Sequence, residues 1–261
     1  MPRESDGRSK AGQAQGLVAV TDGVEHEGQE SVKIVTPSAT WYYHKAGAGF
    51  ASIEDADGND WIGYHPGGRS AGEFRGIPNL VNPEGYFHPG GTECVTEIAH
   101  AGPDKAVLLS RTNDDRWQVR WEVQPQFAHL TVLKAAREYW FLYEGTPGGK
   151  LDEGDGRCLL SDGRTISAGE RWNTRLASPR WACFTDAASG RGMLLLHHED
   201  DGEVDSYWPM EHNMTVFGFG RINLVSSLRK TPARFTVGLI EQADSAAIPR
   251  AAASLLEGPM A

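Results

Sequence analysis

Short apolar and β-branched runs, separated by turn residues, recur along the chain. The pattern predicts strands over 17–20, 31–35, 40–44, 50–55 and 61–64. It predicts more over 94–98, 105–111, 117–123, 127–133, 139–143, 181–185, 193–198, 215–219 and 235–240. The clearest alternates Trp117, Val119, Trp121 and Val123 with Gln118, Arg120 and Glu122, a period of two with one dry and one wet face. Asp57-Gly58-Asn59-Asp60 lies between two such runs and reads as a hairpin turn. Only 244–256 reads as a helix, rich in Ala and Leu and stopped by Gly258-Pro259. The expected fold class is all-β: a single antiparallel β-sandwich with long loops and a short C-terminal helix. It fills one domain over 17–261, after a flexible polar tail at 1–16.

Composition narrows the partners. The 261 residues suffice for one large β domain with a sizeable core. A net charge of −10 with scattered acids argues against nucleic acid, which needs a basic patch. No apolar run is long enough to predict a membrane span. Cys94, Cys158 and Cys183 are far apart with no C-x-x-C, so one disulfide at most is expected and no zinc knuckle. The N-terminus lacks the apolar core of a signal peptide, and the compartment stays open. There is no P-loop, dinucleotide fingerprint or nucleophile elbow, and Gly218-Phe219-Gly220 lacks the following x-x-G, so no cofactor is implied. The expected partner is a small-molecule or oligosaccharide substrate.

Candidate chemistry concentrates in residues 64–91, a Gly- and Pro-rich stretch bracketed by two His-Pro-Gly-Gly repeats. This composition excludes a regular helix or a central strand, while Phe74, Ile77, Leu80, Val81, Tyr86 and Phe87 supply apolar anchors. It therefore reads as an ordered loop carrying function. β-Elimination from a uronate needs a neutralised carboxylate, a base and an acid. Arg75, Asn79, His88, Tyr86 and His65 provide those residue types; the plainer reading is that Arg75 and Asn79 only bind the loop's own carbonyls.

Three further groups stand out. His197 and His198 are neighbours on a strand and so face opposite sides, which argues against a shared metal and leaves His198 as a catalytic candidate. Glu144 closes a strand and could act as acid or base, with Lys150 nearby for a substrate carboxylate; a solvated turn is the alternative. Among Trp41, Tyr42, Tyr43, Trp140, Tyr207 and Trp208, the loop-borne Tyr207 and Trp208 are expected to contact sugar, while most Trp belong in the core.

Residues 49–61, G-F-A-S-I-E-D-A-D-G-N-D-W, resemble the opening hairpin of galactose-mutarotase-like β-supersandwich proteins, in which G-x-x-S-[IL] is followed by D-x-D-G-x-[DE]-W. The resemblance implies a sugar-handling sandwich, a superfold shared with some polysaccharide lyases and glycoside hydrolases. A mutarotase reaction would need a His acid and a Glu base, for which His88 or His198 with Glu241 are the candidates. The resulting expectation is a carbohydrate-active enzyme, foremost a polysaccharide lyase acting on a uronate-containing glycan. The alternatives are a glycoside hydrolase or epimerase using Glu144 or Glu241, and a non-catalytic glycan-binding module.

Overall fold

A computed structural model describes residues 17–64, 76–80, 94–222 and 227–257. The chain opens with β1 (Ala19–His26), β2 (Gln29–Val35), β3 (Thr40–His44), β4 (Gly49–Glu54) and β5 (Gly76–Asn79), laid side by side in one sheet. It crosses to a second sheet for β6 (Cys94–Ala101), β7 (Ala106–Thr112), β8 (Gln118–Val123) and β9 (Ala128–Lys134), and returns for β10 (Phe141–Gly145). β11 (Arg157–Leu160) and β12 (Thr165–Ser167) belong to the second sheet and β13 (Trp172–Thr174) to the first. β14 (Arg180–Asp186) and β15 (Arg191–His197) extend the second, β16 (Asp205–Met210) and β17 (Met214–Phe219) the first. β18 (Ala233–Ile240) and α1 (Ala247–Glu257) end the described fold.

Among the described residues each sheet has nine strands, with orders β1-β2-β3-β4-β5-β10-β17-β16-β13 and β12-β11-β14-β15-β18-β9-β8-β7-β6. Every strand pairing is antiparallel. The inner faces meet in one continuous core that includes Trp41, Tyr43, Phe50, Trp121, Phe141, Tyr143, Phe184, Phe217 and Phe235. Period-two alternation places these residues inside and turns their neighbours outward. α1 covers part of the second sheet's outer face, burying Ile248 and Ala252 against Trp181, Leu194 and Leu196. Asp244 caps it, its Oδ1 accepting from the amides of Ala246 (2.8 Å) and Ala247 (2.6 Å), so the helix begins three residues after the predicted start.

The expected all-β sandwich is the fold observed. Its hairpin turn is organised by Asp55, whose carboxylate accepts from the amides of Asp57 and Asn59 (both 2.9 Å), the Asn59 side chain (3.1 Å) and the Trp61 indole (3.1 Å). Three expectations need correction. Residues 61–64 form no strand of their own; they run beside the end of β10 through Gly63 N to Glu144 O (3.1 Å) and Thr146 N to Trp61 O (3.2 Å). β5, from the Gly- and Pro-rich stretch, is a strand in the middle of the first sheet. It tolerates Pro78 because its pairing is sparse: Phe50 opposite Ile77 on one side, Leu142 opposite Asn79 and Glu144 opposite Gly76 on the other, with a register break between those two. β11, β12, β13 and β16 fall in stretches that read as loop, too short or too polar to show a period.

Candidate functional site on the outer face of the first sheet

The candidate site is built on β10. Phe141 stacks on Phe235 of the opposite sheet (centroids 4.4 Å) and Tyr143 packs near Phe184 (5.7 Å), so both point inward. Trp140, Leu142 and Glu144 therefore face outward. On β16, Tyr207 points inward, stacked on Phe184 at 5.3 Å, which leaves Ser206 and Trp208 outward. The pairings Glu144–Val216 and Val216–Trp208 set Glu144 and Trp208 in one row across β10, β17 and β16.

Glu144 is buried on this face, and Asn79 at the end of β5 donates through Nδ2 to its Oε2 at 2.7 Å. Asn79 is itself buried, and its Oδ1 has no hydrogen-bond partner among the described residues. Arg221, just past β17, folds back over the sheet. Its guanidinium carbon lies 4.3 Å from the Trp208 ring centroid and 5.3 Å from that of Trp140. The bare backbone of Gly218 makes this possible, because a Cβ there would stand 2.6 Å from Leu142 Cδ2 and 2.9 Å from Arg221 Cβ. Burial pulls the Arg221 pKa below its ordinary range, and the Glu144 charge pulls it the other way. Arg221 Nη1 and Ser206 Oγ are also buried without a partner among the described residues. The face thus offers a held carboxylate, a half-buried cation near two indoles, and donors and acceptors not yet satisfied. Such a set suits a polyhydroxylated ligand, which can both donate and accept, with the indoles as apolar walls.

The sequence candidates distribute unevenly. Asn79, Glu144 and Trp208 come together here. His65, Arg75, Tyr86 and His88 lie outside the described residues. Tyr207 is a core residue and not a sugar contact: it is fully buried, and its hydroxyl donates to Ala168 O at 2.6 Å. Lys150 is exposed past the turn at Pro147–Gly149 and bonds through its backbone amide to Pro147 O at 3.3 Å.

His198 does not share the site. His197 takes the inward position, stacked on Phe235 at 4.5 Å, so His198 is turned to the outer face of the other sheet. There its Nε2 meets the Thr236 hydroxyl at 2.8 Å, and burial, helped by the Arg234 charge, lowers its pKa to about 4. Glu241 is occupied elsewhere, accepting from Arg191 Nε at 2.8 Å. The pairing of His198 with Glu241 as acid and base therefore has no support in the geometry. Among the described residues no group of three or more His, Cys, Asp or Glu is placed to hold a metal ion.

Arg221 is the residue that the sequence reading missed. Its only signal is the pair Gly218 and Gly220 directly before it, which makes room for a side chain to fold back.

No protein-family model matches this sequence, and no curated protein matches it. Solved structures do match in fold. The "putative mutarotase" YeaD of Salmonella typhimurium superposes with a TM-score of 0.57 at 10% identity, over 85% of this chain and 94% of that one. A galactose mutarotase related enzyme from Lactobacillus acidophilus gives 0.50 at 11% identity, over 82% and 98%. The chain thus shares the sandwich fold of these structures.

Proposed function

We propose that the outer face of the first sheet binds an aldose and catalyses chemistry at its anomeric carbon, with Glu144 as general base. The observation that carries this reading is the buried Glu144 carboxylate, oriented by Asn79 and set beside an arginine flanked by two tryptophans. In a mutarotation, the base takes the proton of the anomeric hydroxyl as an acid delivers one to the ring oxygen. The bond from C1 to the ring oxygen breaks, the open aldehyde rotates, and the ring closes on the other face. The Asn79 hydrogen bond orients the carboxylate, and the Arg221 charge interacts with it across the same face. Trp208 and Trp140 offer apolar surfaces for the sugar's C–H faces. The acid remains with the candidates of residues 64–91, foremost His88, His65 and Tyr86, the stretch that also contains β5.

Charge balance favours this reading over β-elimination. A uronate carboxylate needs an uncompensated cation, and on this face the Arg221 charge already interacts with Glu144. The test is titration of isotopically labelled protein with neutral aldoses and the matching uronates, following the Trp140 and Trp208 indole N–H signals. The reading expects both signals to move with neutral aldoses. Signals unmoved by every sugar would overturn it, and a response to uronates alone would restore the lyase reading.

A further inference from the structure

Behind the sugar-facing side chains lies a second carboxylate that the proposed chemistry does not use. Asp205, the first residue of β16, is fully buried and points inward. Its Oδ2 accepts from Arg180 Nη2 at 2.7 Å and from the Leu176 amide at 3.3 Å. Arg180 belongs to β14 of the opposite sheet and is also paired with Asp201. The other oxygen of Asp205, Oδ1, accepts from the backbone amide of Gly220 at 3.0 Å.

That last bond falls at the turn from which Arg221 departs. Gly220 has φ +67°, in the left-handed region, and a Cβ there would stand 2.6 Å from Leu228 Cγ and Cδ2. The turn is tight, and the Asp205 carboxylate holds its amide from inside the sandwich. The next residue then sends its side chain over Gly218 to lie between Trp140 and Trp208. Trp208 lies on the strand that Asp205 begins, so one carboxylate anchors both the turn that bears the cation and the strand that bears one of its indoles.

We infer that Asp205 is a positioning residue: clamped by Arg180, it fixes the Gly220 turn and thereby holds Arg221 against Trp208 and Trp140. The inference rests on the reading of this face as the sugar site for its functional meaning, but not for its test. Arg180 links the clamp to the opposite sheet, so the placement of Arg221 depends on the two sheets being packed. A carboxylate that served only stability would not care where the Arg221 side chain lies.

The experiment is side-chain NMR of arginine Nε–H groups in the full chain, with the Arg221 signal identified by its absence in Arg221→Lys. Stacking between indoles should displace that signal by ring currents. Asp205→Asn keeps an oxygen for the Gly220 amide and should retain the displacement. Asp205→Leu removes the acceptor; the displacement should collapse, and any aldose affinity should fall about tenfold, as for a lost hydrogen bond that holds a charged group. An undisplaced signal in the unaltered protein, or an unchanged displacement in a folded Asp205→Leu, would overturn the inference. Because Asp205→Leu leaves a buried arginine with one fewer partner, it can fail to fold. The decision then passes to hydrogen exchange of the Gly220 amide in the unaltered protein. Protection comparable to the β17 amides, with the displacement kept in Asp205→Asn, supports the clamp; free exchange contradicts it. If the Arg221 signal behaves as expected but no sugar binds, the proposed function fails and the positioning role stands.

Discussion

The Glu144 carboxylate accepts a hydrogen bond of 2.7 Å from a side-chain amide 65 residues earlier in the chain. That arrangement gives two expectations. Glu144→Gln keeps the shape and an oxygen for Asn79 but cannot accept a proton, so turnover should drop by roughly 10²–10⁴-fold with thermal unfolding almost unmoved. Parallel kinetics and melting curves check it; equal losses in both would make Glu144 a structural residue. Asn79→Ala removes a hydrogen bond that orients the carboxylate, and turnover should fall roughly ten- to a hundredfold, the worth of a hydrogen bond to a charged group. Glu144 was visible in the sequence as an acid at a strand end. Its partner was visible only as a loop residue, because nothing local says that Asn79 will sit beside β10. Tyr207 shows the opposite failure. A Tyr-Trp-Pro stretch looks like an exposed loop, yet it is a strand, and alternation sends Tyr207 into the core and Trp208 out of it.

Pairing between elements decides the rest of the site. β17 lies between the strand that bears Glu144 and the strand that bears Trp208, and Gly218 is its low point. Gly218→Ala should push Leu142 and Arg221 aside at a cost of roughly 1–3 kcal/mol, as overpacking does. Ligand affinity should fall in the same variant while the sandwich still folds, which denaturant unfolding alongside sugar titration would show. An unchanged affinity would mean that the Arg221 placement does not matter to binding. β5 explains why composition misled at this scale. Gly and Pro argue against a central strand when every amide is needed in the ladder. β5 makes pairs at only a few positions, and Pro78 falls in the gap between those to β10. The long alternating strands β7, β8 and β9 carry their own period and were legible; β11, β12 and β13 have only three or four residues each, too few to show one.

For the molecule as a whole, the sandwich followed from the recurrence of short alternating runs, because inward and outward faces are fixed strand by strand. The partition of buried charge between the faces did not. On the outer face of the second sheet, the Thr236 hydroxyl lies 2.8 Å from His198 Nε2 and 2.8 Å from His129 Nδ1. Burial lowers both histidine pKa values, that of His198 to about 4. The unfolded chain takes up a proton at His198 below about 6.5, whereas the folded chain resists until about 4. This contribution is therefore present above pH 6.5 and lost as pH falls toward 4. Asp60 and Asp205, raised by burial to about 6, act in the opposite sense over much of that window. Comparison with His198→Gln isolates the histidine. The stability of the natural chain relative to the variant should fall by on the order of 2–3 kcal/mol from pH 7 to pH 4. Parallel curves in urea would contradict the assignment. The central claim is that Glu144, on the sugar-facing side of the first sheet, is the base for anomeric chemistry. Exchange NMR between the α and β anomers of a set of neutral aldoses, with and without protein, tests it most directly. The account predicts accelerated exchange for at least one aldose, returning to the uncatalysed rate in Glu144→Gln. Exchange that stays at the uncatalysed rate for every sugar, or acceleration that survives in Glu144→Gln, would contradict it.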